Sequence, residues 1–205
     1  MPLNAAVKQE VIKNTEKYEG RIPHLYLDSR GKVTVGIGHL IPNKSAMAAV
    51  PMFKKNANNV LVLASLAEKY AEYDTIKKQP YGFSHNARFY AAHTTLVMKD
   101  HDIATQKERH ILSFYTELAA YYTTTNGFTK KFDAMPHPVQ QALFDMVFNL
   151  GITKLRAQYV KMNNSIKIEN WATAAAESKR PQIGMKRNNY VESLFLSAQN
   201  QPATP

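Results

Sequence analysis

The chain leaves helical periodicity near Gly20 and returns to it beyond Pro42, and that excursion limits what it can fold into. Before it, Leu3, Val7, Val11 and Tyr18 lie near one face at helical spacing, and Gly20 is a good terminator. Within it the period is two. His24-Leu25-Tyr26-Leu27 and Lys32-Val33-Thr34-Val35 read as strands flanking the turn Asp28-Ser29-Arg30-Gly31. After it the pattern predicts helix almost to the end. A helical patch runs from Val60 to Tyr73, and Ser84 or Asn86 caps a long helix reaching about Lys107. Another covers about 109–122, and Pro138 begins one that Gly151 ends. Further helices are predicted around 153–167, 170–179 and 187–198. One short antiparallel excursion among helices makes an α+β chain that is mostly α. The expected organisation is one domain over 1–198. Its small N-terminal lobe (about 19–85) carries the sheet, its larger all-helical lobe takes about 1–18 and 86–198, and 199–205 form a flexible tail.

Composition removes several function classes. The 205 residues are 44% hydrophobic, enough for a core. No run approaches the roughly 20 apolar residues of a membrane span, so membrane insertion is not expected. Met1 to Glu10 lacks the basic start and apolar run of a secretory signal. The absence of cysteine excludes disulfides, thiolate nucleophiles and cysteine-bound metals. Seven histidines without a His-Glu-x-x-His pattern give no metal site, and no cofactor is implied. The net charge of +10 is diffuse: the longest basic runs are pairs such as Lys54-Lys55 and Lys130-Lys131. A diffuse positive field suits any polyanionic partner, whether nucleic acid, anionic lipid or bacterial cell wall, although a dedicated nucleic-acid binder would concentrate its charge in a stripe. Nucleic acid is therefore not expected as a partner.

The chemistry-bearing residues fall inside the excursion. Glu19 ends the first helix, where the dipole disfavours a carboxylate and so favours the protonated form of a proton donor. Asp28 opens the turn nine residues later. Thr34 lies between two valines and points to the face opposite them. Two carboxyl groups and a hydroxyl on one groove are the groups that glycoside hydrolysis needs: one donates a proton to the leaving oxygen, the other holds water on the opposite face of the sugar. Gly36-Ile37-Gly38 lacks the third glycine of a dinucleotide loop, since Ile41 stands there. A close backbone approach to a sugar or to a neighbouring helix fits it better.

These residues resemble the active-site segment of the phage T4-type lysozymes, glycoside hydrolase family 24. Glu19-Gly20, Asp28, Thr34 and Gly36-Ile37-Gly38-His39-Leu40 follow that family's offsets without a gap. Asp145 to Gly151 is similar to the helix on the far side of its cleft. Trp171 to Ala175, Lys186-Arg187 and Val191 to Phe195 are similar to its C-terminal helices. Tyr190 departs from it, standing where the phage enzymes have a basic residue, and segments 43–90 and 105–135 are longer than theirs.

The resemblance implies a lysozyme-like fold and inverting hydrolysis of the β-1,4 bond between N-acetylmuramic acid and N-acetylglucosamine in peptidoglycan. Glu19 would be the general acid, and Asp28 with Thr34 would position or activate the water. Leu40, Phe148 and Asn149 would contact substrate; Gly36, Gly38 and His39 would support the site, with Asp100 pairing to His39. The implied setting is a monomer made in the cytoplasm that acts in the periplasm or cell wall, as an endolysin or a delivered effector with an immunity or delivery protein. The alternative is a catalytically silent peptidoglycan-binding module, which would normally have lost one of the acids.

Overall fold

The structure, a computed structural model, describes residues 3–200. Helix α1 (Ala5–Glu19) stops where Gly20 takes a left-handed φ of +74°. Three strands follow, β1 (Ile22–Leu27), β2 (Val33–Gly36) and β3 (His39–Leu40), in an antiparallel sheet of order β1-β2-β3. Tyr26 faces Thr34 across one pair and Thr34 faces Leu40 across the other, so these three side chains lie on one face of the sheet. Leu25, Leu27, Val33 and Val35 occupy the opposite face and are all buried.

Residues 43–84, whose pattern is ambiguous with helical patches broken by Pro51, Pro80 and Gly82, contain strand as well as helix. A second antiparallel hairpin, β4 (Phe53–Lys55) with β5 (Leu61–Leu63), precedes helix α2 (Leu66–Lys77). Ser65 caps α2 with a reciprocal capping box to Glu68, which is why the helix starts there rather than at Val60. Asn86 does cap a helix, but α3 (Ala87–Tyr90) lasts only four residues. The chain then extends so that Val97 bridges to Phe53, donating to and accepting from its backbone at 2.8 Å. The long helix α4 (Asp100–Tyr121) begins only after that bridge and runs straight through the break predicted near residue 108.

Helices α5 (His137–Leu150), α6 (Ile152–Gln158), α7 (Val160–Lys167), α8 (Trp171–Glu177) and α9 (Met185–Ser197) complete the order, close to their predicted positions. Pro138 stands in the first turn of α5. A 3₁₀ turn continues α9 over Ala198–Asn200, and residues 201–205 of the predicted tail lie outside the described residues.

The contacts divide the chain into two units: residues 19–109, and residues 1–18 together with 110–205. The division falls after Arg109 rather than near residue 85. The reason is packing: Tyr90, Leu96, Met98 and Ile103 are buried in the same core as Leu25, Val35, Met52 and Ile76. The larger unit has its own core around α5, whose Val139, Ala142, Leu143, Phe144, Met146 and Val147 are essentially inaccessible. Val7 and Val11 of α1 and Ile111 of α4 share it.

Candidate active site

Five of the residues singled out in the sequence, Glu19, Asp28, Thr34, His39 and Asp100, lie in the smaller unit together with Gly36, Gly38 and Leu40. The Asp28 turn is tightly built. Asp28 Oδ1 accepts from the backbone N–H of Arg30 (2.8 Å) and of Lys32 (2.9 Å). The Asp28 carbonyl accepts from Gly31 N–H, and Asp28 N–H donates to the Lys32 carbonyl, both at 2.9 Å. One carboxylate oxygen is thus spent on shaping the turn, which fixes where the other points.

Thr34 alternates with its flanking valines as expected, yet it is buried, with 5% of its surface exposed. Its hydroxyl donates to the Lys32 carbonyl at 3.1 Å. Between Tyr26 and Leu40 it sits in the middle of the sheet face, and Leu40 is 41% exposed. A small hydroxyl recessed between an aromatic and an accessible leucine is a floor on which a water or a sugar hydroxyl can rest.

Tyr26 is a member of this group that the sequence expectations omit. Burial first, and then the charges of Glu19 and of Asp28, push its phenol well above the ordinary tyrosine range. Both carboxyl groups therefore act on one hydroxyl. Its position opposite Thr34, across the turn that Asp28 opens, was a usable signal. Glu19 itself is half-buried at the end of α1.

The Gly36 position shows why the glycine is there. Its φ is +67°, and a Cβ at this point would stand 2.7 Å from Gln106 Oε1 and 3.6 Å from Ile103 Cγ2 on α4. The close approach is to helix α4. Gly38 also takes a positive φ, +65°. Asp100, expected to pair with His39, is engaged by Arg21. Arg21 Nε donates to its Oδ1 at 2.6 Å, and Arg21 Nη2 donates to its backbone carbonyl at 2.8 Å. This ion pair with Arg21 holds the carboxyl below the usual range and ties the start of α4 to the segment after Gly20. His39 pairs across the sheet with Val35, on the face opposite Thr34.

Phe148 and Asn149 lie in the larger unit, near the C-terminal end of α5. Phe148 packs edge-to-face on Phe114 at 5.3 Å and on His110 at 6.5 Å. Asn149 Oδ1 is buried with no hydrogen-bond partner among the described residues. The same unit holds a buried charge cluster. Asp145 Oδ1 accepts from Arg180 Nη1 at 2.7 Å and Oδ2 accepts from Arg187 Nε at 2.9 Å. The Arg187 guanidinium also lies 5.0 Å over the Tyr18 ring.

With this geometry in place, the fold is an α+β fold of the lysozyme-like class: a small unit carrying a short antiparallel sheet, and a helical unit. The chain is similar to a Dictyostelium discoideum protein described as probable T4-type lysozyme 2, with 27% identity over 189 residues. That alignment takes in 90% of this chain and 92% of the other protein. No family model matches the chain.

Proposed function

We propose that the protein is a muramidase, which hydrolyses the β-1,4 bond between N-acetylmuramic acid and N-acetylglucosamine of peptidoglycan with inversion. The observation that carries this reading is that the charges of Glu19 and Asp28 both bear on the Tyr26 phenol, whose residue faces Thr34 across the three-stranded sheet. The similarity to a probable T4-type lysozyme along nearly the whole chain supports it.

In this reading Glu19 donates its proton to the leaving glycosidic oxygen. Asp28 keeps Oδ1 on its own turn and presents Oδ2 to a water on the other side of the sugar, with the Thr34 hydroxyl fixing that water's orientation. Inversion requires space for the water, which corresponds to carboxyl groups about 6.5–9.5 Å apart. The net charge of +10 favours approach to an anionic wall outside the cytoplasm.

Clearing of purified peptidoglycan by the wild type and by Glu19→Gln, both shown to be folded, tests the assignment. The wild type is expected to clear the suspension and the variant to lose essentially all activity, with the new reducing ends released as the α anomer by NMR. A folded wild type that binds the wall without cutting it would instead identify a peptidoglycan-binding module.

A further inference from the structure

The segment after α2 places the Tyr81 ring beside the Asp28 turn, with Phe83 two residues further along the same loop. Tyr81 lies against Gly31 so closely that a Cβ on that glycine would meet the ring at 2.8–3.0 Å, and Gly31 has a φ of +70°. Lys77 Nζ donates to the Gly31 carbonyl at 2.6 Å. One residue before Tyr81, the Pro80 carbonyl accepts from the hydroxyl of fully buried Tyr90 at 2.9 Å. The loop is therefore fastened both to the turn and to the core. Yet Tyr81 remains 58% exposed and Phe83 is completely exposed, while most large apolar side chains of this unit are buried. Arg30 and Lys32, which flank Gly31 in the chain, and Lys78, three residues before Tyr81, are exposed as well.

We infer that Tyr81 and Phe83 form an accessory saccharide platform next to the Asp28 turn, which holds a further amino-sugar unit of a long peptidoglycan strand. This deepens the muramidase reading and rests on it. An aromatic face suits the C–H face of a pyranose, because its negative quadrupole meets weakly positive hydrogens across an apolar contact. These exposed cations suit the carboxylates that muramic acid and its peptide stems carry. Gly31 joins the two sites: it allows the turn that aims Asp28, and its missing side chain gives Tyr81 its seat.

The experiment compares wild type, Phe83→Ala and Tyr81→Ala/Phe83→Ala on stem-free glycan strands sorted into short and long fractions. Phe83→Ala removes a fully exposed ring and leaves the fold intact, so it keeps the test valid if Tyr81→Ala loosens the loop. The expected result is a KM for long strands raised roughly three- to tenfold, with the short-strand KM and both kcat values held. Binding of the long fraction to Glu19→Gln proteins carrying the same changes should weaken by the same factor. Equal KM values for long strands in all three proteins overturn the platform and leave the muramidase reading standing. A folded wild type that neither cuts nor binds any strand overturns both.

Discussion

At the scale of single residues, the smaller unit is organised by positions where only one side chain serves. Gly36 is such a position. Alanine there meets both a left-handed φ of +67° and the side chain of Gln106. The side-chain end can move, but the dihedral cannot without shifting β2. Gly36→Ala is expected to destabilise the protein by about 1–2 kcal/mol, read as a lowered urea midpoint with unchanged slope. An unchanged midpoint would mean that α4 does not press on the sheet at this point. The glycine itself was legible in the sequence, as was the pair of alternatives for it; the choice between sugar and helix was not. Residue 106 is seventy positions away, and no local pattern announces a contact of that range. Asp100 illustrates the same limit. Its carboxyl stood out only through the family resemblance, and its partner Arg21 carried no signal separating it from other arginines.

Among the elements, α2 and β4 are coupled through a surface network. Ser65 Oγ accepts from Glu68 N–H at 3.3 Å, while Glu68 Oε2 accepts from Ser65 N–H at 2.8 Å, and Lys54 of β4 pairs with Glu68 Oε1. The hydrogen bond from Lys54, then those from Ser65, draw the Glu68 carboxyl down to about 2 from an unperturbed 4.5. A depressed folded-state value means that the unfolded chain takes up the proton first. The stabilisation is complete above pH 4.5 and is lost as pH falls towards 2. Ser65→Ala should cost about 1 kcal/mol at neutral pH, and Glu68→Gln should flatten the acid limb of the stability curve. Parallel acid limbs in wild type and Glu68→Gln would remove Glu68 from the account. The capping box stands plainly in the sequence as Ser65-x-x-Glu68. The β4–β5 hairpin before it was obscured because Phe53-Lys54-Lys55 and Leu61-Val62-Leu63 are too short to separate a period of two from one of 3.6. The break between α3 and α4 was hidden for a related reason. The bridge from Val97 to Phe53 overrides local helix preference, and such pairing leaves no mark in a window of neighbours.

For the molecule as a whole, stability in the larger unit depends on a charge cluster set among apolar helices. Arg180 has no exposed surface and Asp145 very little, so removing the acid strands a buried cation. Asp145→Ala is expected to cost about 3–5 kcal/mol by chemical denaturation. Adding Arg180→Met should restore part of that loss, since the uncompensated charge goes with it. A double variant no better than the single one would assign the loss to packing around the helix α5 backbone. The division into two units also bears on the order in which the protein takes shape. Residues 19–109 form one continuous stretch, whereas the larger unit joins residues 1–18 to 110–205. As the chain leaves the ribosome, the whole of the sheet-bearing unit emerges while Val7 and Val11 still await the helices that cover them. Helix α1 is thus made well before the helices that cover it, a long-range closure of the kind that slows folding.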